Sequence, residues 1–152
     1  MNLETLQDGI TDSLNAGHSV VLLVGPPGCG KSRFLRELHQ VGILDVGKEL
    51  ARELMAIPRK EWGEKSLQVM KSLLETFTHP VIALDNIEIL LSPELNLDLW
   101  PALEKWSGTK QLVVAWTGRV DDQEIQWGDP GVPGHVIMNL ENCPAKILSL
   151  TG

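Results

Sequence analysis

A chain of 152 residues is long enough for one domain with a real core and short for two. Its 43% hydrophobic and 22% charged composition is that of a water-soluble globular protein, and no apolar run approaches the about 20 residues needed to span a bilayer. A net charge of −7, with no visible Lys/Arg run, argues against a surface devoted to nucleic acid.

The start, Met1-Asn2-Leu3-Glu4, is acidic and amphipathic, unlike a signal peptide. Leu3, Leu6, Ile10 and Leu14 share one helical face over 2–16, and Gly17 suits the stop. Val20-Val21-Leu22-Leu23-Val24 reads as a buried strand over 19–24. It runs into Gly25-Pro26-Pro27-Gly28-Cys29-Gly30-Lys31-Ser32, which matches G-x-x-x-x-G-K-[ST] at every fixed position. A helix over 31–40 follows, with Phe34, Leu35 and Leu38 inward. Strand, loop and helix are the context this phosphate-binding motif requires. Glycines let successive N–H groups converge on a phosphate, and the helix start adds unpaired donors. Lys31 is suited to the β- and γ-phosphates, and the Ser32 hydroxyl to Mg²⁺. Arg33 closes the cofactor-binding segment, although Arg33 and Arg36 also fit a plain solvent-facing role.

Gly42 breaks the helical pattern, and 43–46 is a short candidate strand. Leu50, Leu54 and Met55 mark a helix over 48–56 that Pro58 ends, and Trp62 falls in the polar loop 58–64. An apolar stripe predicts a helix over 65–78. Val81-Ile82-Ala83-Leu84-Asp85 is an apolar strand ending in an acid. One crossover after a phosphate loop, that places Asp85 to hold Mg²⁺; the plainer alternative is an Asp that caps the next segment. Ser92 and Pro93 suit the start of a helix to Trp106, interrupted by Pro101 and stopped by Gly108. Gln111 to Trp116 reads as another buried strand, ending in Thr117-Gly118-Arg119. Residues 120–134 form a polar loop in which 124–127 is half of a small hairpin, 135–140 looks like the last strand, and 147–150 a short strand or packing segment.

Cys29 lies inside the phosphate loop, where a disulfide would obstruct a ligand, so Cys29 and Cys143 read as reduced thiols of a cytoplasmic protein. His18, His39, His79 and His135 are scattered and carry no metal-ligand spacing. Trp62 and Trp127 are candidates for exposed interface residues. A base-stacking role fits poorly without a basic groove.

Alternating strands and helices imply a mostly parallel sheet covered on both faces. The phosphate strand, the Asp85 strand and the Thr117 strand must present their ends to one nucleotide, which puts the Thr117 strand between the other two. Such chains resemble the additional-strand P-loop ATPases, among them the AAA+ and STAND families. The resemblance implies a single-domain α/β chain, a three-layer αβα sandwich with about five strands in a 51432-type order and no separate lid domain. It also implies a sensor role for Thr117 and Arg119 at the γ-phosphate. GPPGCGKS, the segment Asp45 to Ala51, LDNIEIL at 84–90 and WTGR at 116–119 together resemble the BrxF family, the small P-loop ATPases of type III BREX phage-exclusion systems. That resemblance implies ATP and Mg²⁺ as cofactors, the other BREX proteins as partners, and a bacterial antiphage role. Two departures stand out. The position after Asp85, where the AAA+ pattern has a water-polarising Glu, is Asn86, with Glu88 two residues on as a substitute if the chain bends. And little chain follows the last strand for a helical lid. The leading expectation is therefore an ATP-hydrolysing subunit, with Arg119 ahead of Arg59, Arg52 and Arg33 as an arginine lent to a neighbouring copy in a homo-oligomer. The alternatives are a nucleotide-gated interaction module without hydrolysis, and a small-molecule kinase.

Overall fold

The computed structural model describes residues 3–38 and 40–150. The expected helical place of His39 and the inward turn of the Leu3 side chain lie outside the described residues and side chains.

The chain alternates helix and strand through its first two thirds. The order is α1 (Leu3–Asn15), β1 (Val20–Gly25), α2 (Lys31–Arg36), β2 (Val41–Asp45), α3 (Val46–Met55), a 3₁₀ turn (Arg59–Glu61), α4 (Trp62–Glu75), β3 (Val81–Asp85), a second 3₁₀ segment (Ile87–Leu91) and α5 (Leu99–Trp106). Four strands close the chain: β4 (Gln111–Val120), β5 (Glu124–Trp127), β6 (Val136–Asn139) and β7 (Lys146–Ser149). Five strands lie parallel in the order β2-β3-β4-β1-β7, and β4 continues into an antiparallel ribbon with β5 and β6. Read from the other edge, that is the expected 51432 order, with β4 between the phosphate strand and the Asp85 strand. The chain has the P-loop NTPase fold.

The apolar runs are continuous because the sheet is buried on both faces. Val20, Leu22 and Val24 point into a core shared with α3, α4 and α5, while Val21 and Leu23 point into a second core with Leu6 and Ile10 of α1 and Phe34 and Leu35 of α2. Strand β4 divides in the same way: Leu112, Val114 and Trp116 face the first core, Val113 and Ala115 the second.

Several boundaries differ from the sequence reading, each for a local reason. α2 stops at Arg36, where the Glu37 N–H turns back to Leu35 and Phe34 and Gln40 adopts a left-handed φ of 59°. Gly42 does not break the chain but sits in β2, where a Cβ would come 2.6 Å from the Phe77 ring. Trp62 opens α4 instead of lying in a loop, its indole N–H donating to the carbonyls of Leu54 and Ile57. α5 begins at Leu99, after Asp98, and so Pro101 falls in the first turn, where no helical N–H partner is lost. The 135–140 segment is not the final strand of the parallel sheet. Its core, β6, belongs to the antiparallel ribbon, and the parallel edge is β7.

Candidate functional site

The C-terminal ends of the parallel strands open into one cleft of about 1280 Å³. Gly25 at the end of β1 is level with Thr117 of β4, and Asp45 of β2 is level with Asp85 of β3. Open parallel sheets gather ligands at this edge.

One wall is the loop between β1 and α2. Gly28 and Gly30 have φ of 75° and 90°, a backbone that L side chains rarely adopt. Gly25 is held for a different reason: a Cβ there would meet Cys29 Sγ at 2.8 Å and Leu150 Cβ at 3.0 Å. Gly28, Gly30, Lys31, Ser32 and Arg33 line the cleft, whereas Gly25, Pro26, Pro27 and Cys29 form the loop behind that surface. Lys31 is 7% exposed. Its ammonium donates to the carbonyls of Gly25 at 3.0 Å and Pro26 at 2.9 Å, and lies 3.5 Å from Cys29 Sγ. Among the described residues no carboxylate pairs with it. A buried ammonium compensated only by neutral oxygens is poorly neutralised. Both cysteines are free thiols, and burial pushes the Cys143 thiol up from its ordinary range.

The floor is the end of β3. Asp85 Oδ1 accepts from the Asn86 N–H at 3.0 Å, and Asn86 takes a left-handed φ of 54°. The chain therefore bends sharply after Asp85, and the 3₁₀ segment that follows turns Glu88 into the cleft lining beside Asp85 and Asn86. Glu88 is exposed, and no hydrogen bond or ion pair fixes it among the described residues. Gly47, the second residue of α3, lies close against Asn86: a Cβ there would stand 3.1 Å from the Asn86 carbonyl.

The opposite wall is the antiparallel ribbon. β4 does not end at Thr117 but continues to Val120, pairing Gly118 with Trp127, Arg119 with Gln126 and Val120 with Ile125. A Cβ at Gly118 would overlap the Gln126 carbonyl oxygen, so only glycine lets β5 pair at this point. Trp116 is fully buried, stacks edge-on with Trp127 at 5.3 Å and donates to the Gln126 carbonyl at 2.9 Å; Trp100 donates to the Asn139 carbonyl at 2.9 Å. These indoles fasten the ribbon to the body. Trp127 is thus a buried anchor and not an exposed interface residue, and Trp62, partly buried and doubly bonded, is an anchor as well. Thr117 lines the cleft; Arg119, two residues on, is exposed and lies outside that lining.

The structure therefore brings Lys31, Ser32, Arg33, Asp85, Asn86, Glu88 and Thr117 to one cleft and leaves Arg119 outside it. It adds His135, which enters the lining from the loop between β5 and β6. The run from Gly128 to Gly134 is rich in Gly and Pro and identifies a loop, but nothing in it says which strand ends the loop joins. Among the described residues no three His, Cys, Asp or Glu side chains gather, and no helix is long and apolar enough to cross a membrane. Ser32 and Asp85 fit a Mg²⁺ that takes its remaining ligands from phosphate and water, the usual habit of that ion.

No protein-family model matches the chain, and no curated protein does. Among solved structures, C. elegans PCH-2 aligns over 98% of this chain and 40% of its own, with a TM-score of 0.46 and 13% identity. The chain thus spans two fifths of that protein's length. At that level of similarity neither activity nor partners transfer.

Proposed function

We propose that the chain binds ATP with Mg²⁺ in this cleft and hydrolyses it, as a nucleotide-driven subunit of a bacterial antiphage system of the type III BREX kind. The observation that carries nucleotide binding is Lys31: a buried ammonium without a carboxylate partner, bedded on loop carbonyls and lining a cleft that Asp85 also lines. Transfer of Lys31 from those carbonyls to phosphate oxygens sets its buried charge against opposite charge instead of neutral acceptors. Mg²⁺, when bound, would supply positive charge against the charge that develops on the phosphates. In this reading Ser32 and Asp85 would hold it, and the Thr117 hydroxyl would donate to the terminal phosphate; all three line the cleft. Arg119 is exposed and outside the lining of its own cleft, which leaves it free for a role in a neighbouring copy. The BREX assignment rests on the sequence resemblance at 25–32, 45–51, 84–90 and 116–119, and the partners it implies are the other proteins of that system in the cytoplasm.

Asn86 supports a second reading, a nucleotide-gated interaction module with negligible turnover, because a neutral amide is a poor general base. Calorimetric titration of Mg·ATP into wild type and Lys31→Ala tests the binding claim. Loss of a charged hydrogen bond predicts an affinity about 10–100-fold weaker in the variant. Equal affinities overturn the assignment. Phosphate release by the wild type separates the two readings.

A further inference from the structure

We infer that His135, oriented by Gln126, is a further catalytic residue of this cleft, taking the hydrogen bond of the water that attacks the terminal phosphate. The inference rests on the ATP-hydrolysis reading above.

The ribbon places His135 by register. β4 and β5 pair Gly118 with Trp127, and β5 and β6 pair Trp127 with Val136. The strand pairing ends there, and the residues that follow it toward the cleft are Thr117, Gly128 and His135. Gly128 donates its N–H to the Thr117 carbonyl at 2.9 Å, and a Cβ on Gly128 would stand 3.9 Å from His135 Cα. The middle residue of the three is a glycine, so no side chain rises between Thr117 and His135. Two strand spacings put their Cα atoms about 10 Å apart, a span that a phosphate group and one water can bridge.

The imidazole is also held. His135 is half-buried, and its Nε2 lies 2.9 Å from Gln126 Oε1. In the tautomer this role requires, Nε2 donates to the Gln126 amide oxygen, which only accepts, and Nδ1 keeps its lone pair. A ring whose distal nitrogen is fixed by a polar partner and whose other nitrogen accepts is the arrangement a water-activating histidine needs. The competing groups are less well placed for that work. Asn86 is a neutral amide on a left-handed turn. Glu88 lies beside Gly134, the residue before His135, where an added Cβ would meet Glu88 Oε1 at 2.9 Å, but nothing described fixes its carboxylate.

In the step assigned to this residue, the water oxygen forms a bond to the terminal phosphorus. The bond from phosphorus to the bridging oxygen breaks, its electron pair leaving on the diphosphate. The water proton passes to Nδ1 and then to solvent, which restores the neutral ring.

The test uses the full chain with Mg²⁺ and ATP. For His135→Ala the turnover number falls about 100-fold, the range of a positioned general base, while Mg·ATP affinity by calorimetry stays within about threefold, the pattern of an interaction made in the transition state. His135→Gln keeps the bulk of the side chain and shows the same split, which guards against a folding defect in the alanine variant. Gln126→Leu releases the ring and gives a smaller loss of turnover. In the unmutated chain, a nonhydrolysable ATP analogue with Mg²⁺ shifts the His135 Nδ1 resonance and leaves Nε2 in place. Unchanged turnover in the folded His135 variants overturns the inference, as does wild-type protein that binds ATP without releasing phosphate; both leave nucleotide binding intact. Wild-type protein that binds no ATP overturns the reading beneath it instead.

Discussion

The two walls of the cleft are built on different physics. The phosphate-loop wall hangs from β1, a strand in which Val21, Leu22, Leu23 and Val24 are all 0% exposed, with parallel neighbours on both sides and a core on each face. The ribbon wall has one buried face only. Trp116, Ile125 and Trp127 turn inward, while Arg119 and Ile137 stand in solvent, the latter 53% exposed. The first wall is fixed by the whole sheet; the second is fixed by a few indoles. Local opening is drawn from the least buried elements, so the ribbon is expected to open before the phosphate-loop wall.

The sharpest way to break this contrast is to remove the fastening. Trp116→Ala deletes a fully buried indole that touches Trp100 and Trp127. Truncating a buried Trp to Ala costs about 3–5 kcal/mol, and urea unfolding measures it. A loss below about 1 kcal/mol, the level of an ordinary surface substitution, would mean that the ribbon is held by something other than its tryptophans.

The next effect is smaller and local. Gly118→Ala forces a methyl group against the Gln126 carbonyl, and overpacking of this kind costs about 1–3 kcal/mol. Native-state hydrogen exchange should show faster exchange at Gly128, whose N–H bonds the Thr117 carbonyl, and unchanged protection at Val21 to Val24. Equal loss of protection in both places would show that body and ribbon open as one unit.

The same contrast explains what could be read from the sequence. The body was legible because its signals are redundant. Continuous apolar runs at 20–24, 81–84 and 112–116 each mark a strand buried on both faces, and the phosphate loop fixes the direction in which they point. The position of Lys31, Ser32 and Asp85 at one cleft followed from that frame. The ribbon's strands at 124–127 and 136–139 were marked by the sequence, but their pairing was not, since its decisive feature is a register. Nothing in Val120 to Gly134 states that β4 continues past Thr117, and the requirement for glycine at 118 appears only once β5 is alongside. His135 reads as an isolated histidine until Gly128 and Thr117 are seen to follow the same paired strands. Helix ends failed for a related reason. Pro93 is a good start signal, yet the helix starts at Leu99, where Leu99 and Trp100 enter the core.

The smallest expected effect compares one exposed carboxylate on the ribbon with one on the body. Asp121 caps the β4–β5 turn, accepting from the Gln123 and Glu124 N–H groups at 2.8 Å, and those backbone bonds hold its carboxyl below its ordinary value of 3.8. Glu94, on the body side, is held below its ordinary 4.5 by a paired hydrogen bond from Arg59 and by that residue's charge. Both carboxyls are depressed in the folded chain. Whatever stability they contribute is therefore fully present above the ordinary values, and is lost as pH falls through the lowered ones. The causes differ, and salt separates them. In about 1 M salt, where the Debye length is about 3 Å, the exposed ion pair is screened far more than a short backbone hydrogen bond. Carboxyl titration by NMR should find the Glu94 midpoint moving back toward its ordinary value while Asp121 stays depressed. Equal movement of both would mean that the ribbon turn is held by net charge, and the backbone geometry that distinguishes this wall would lose its part in the argument.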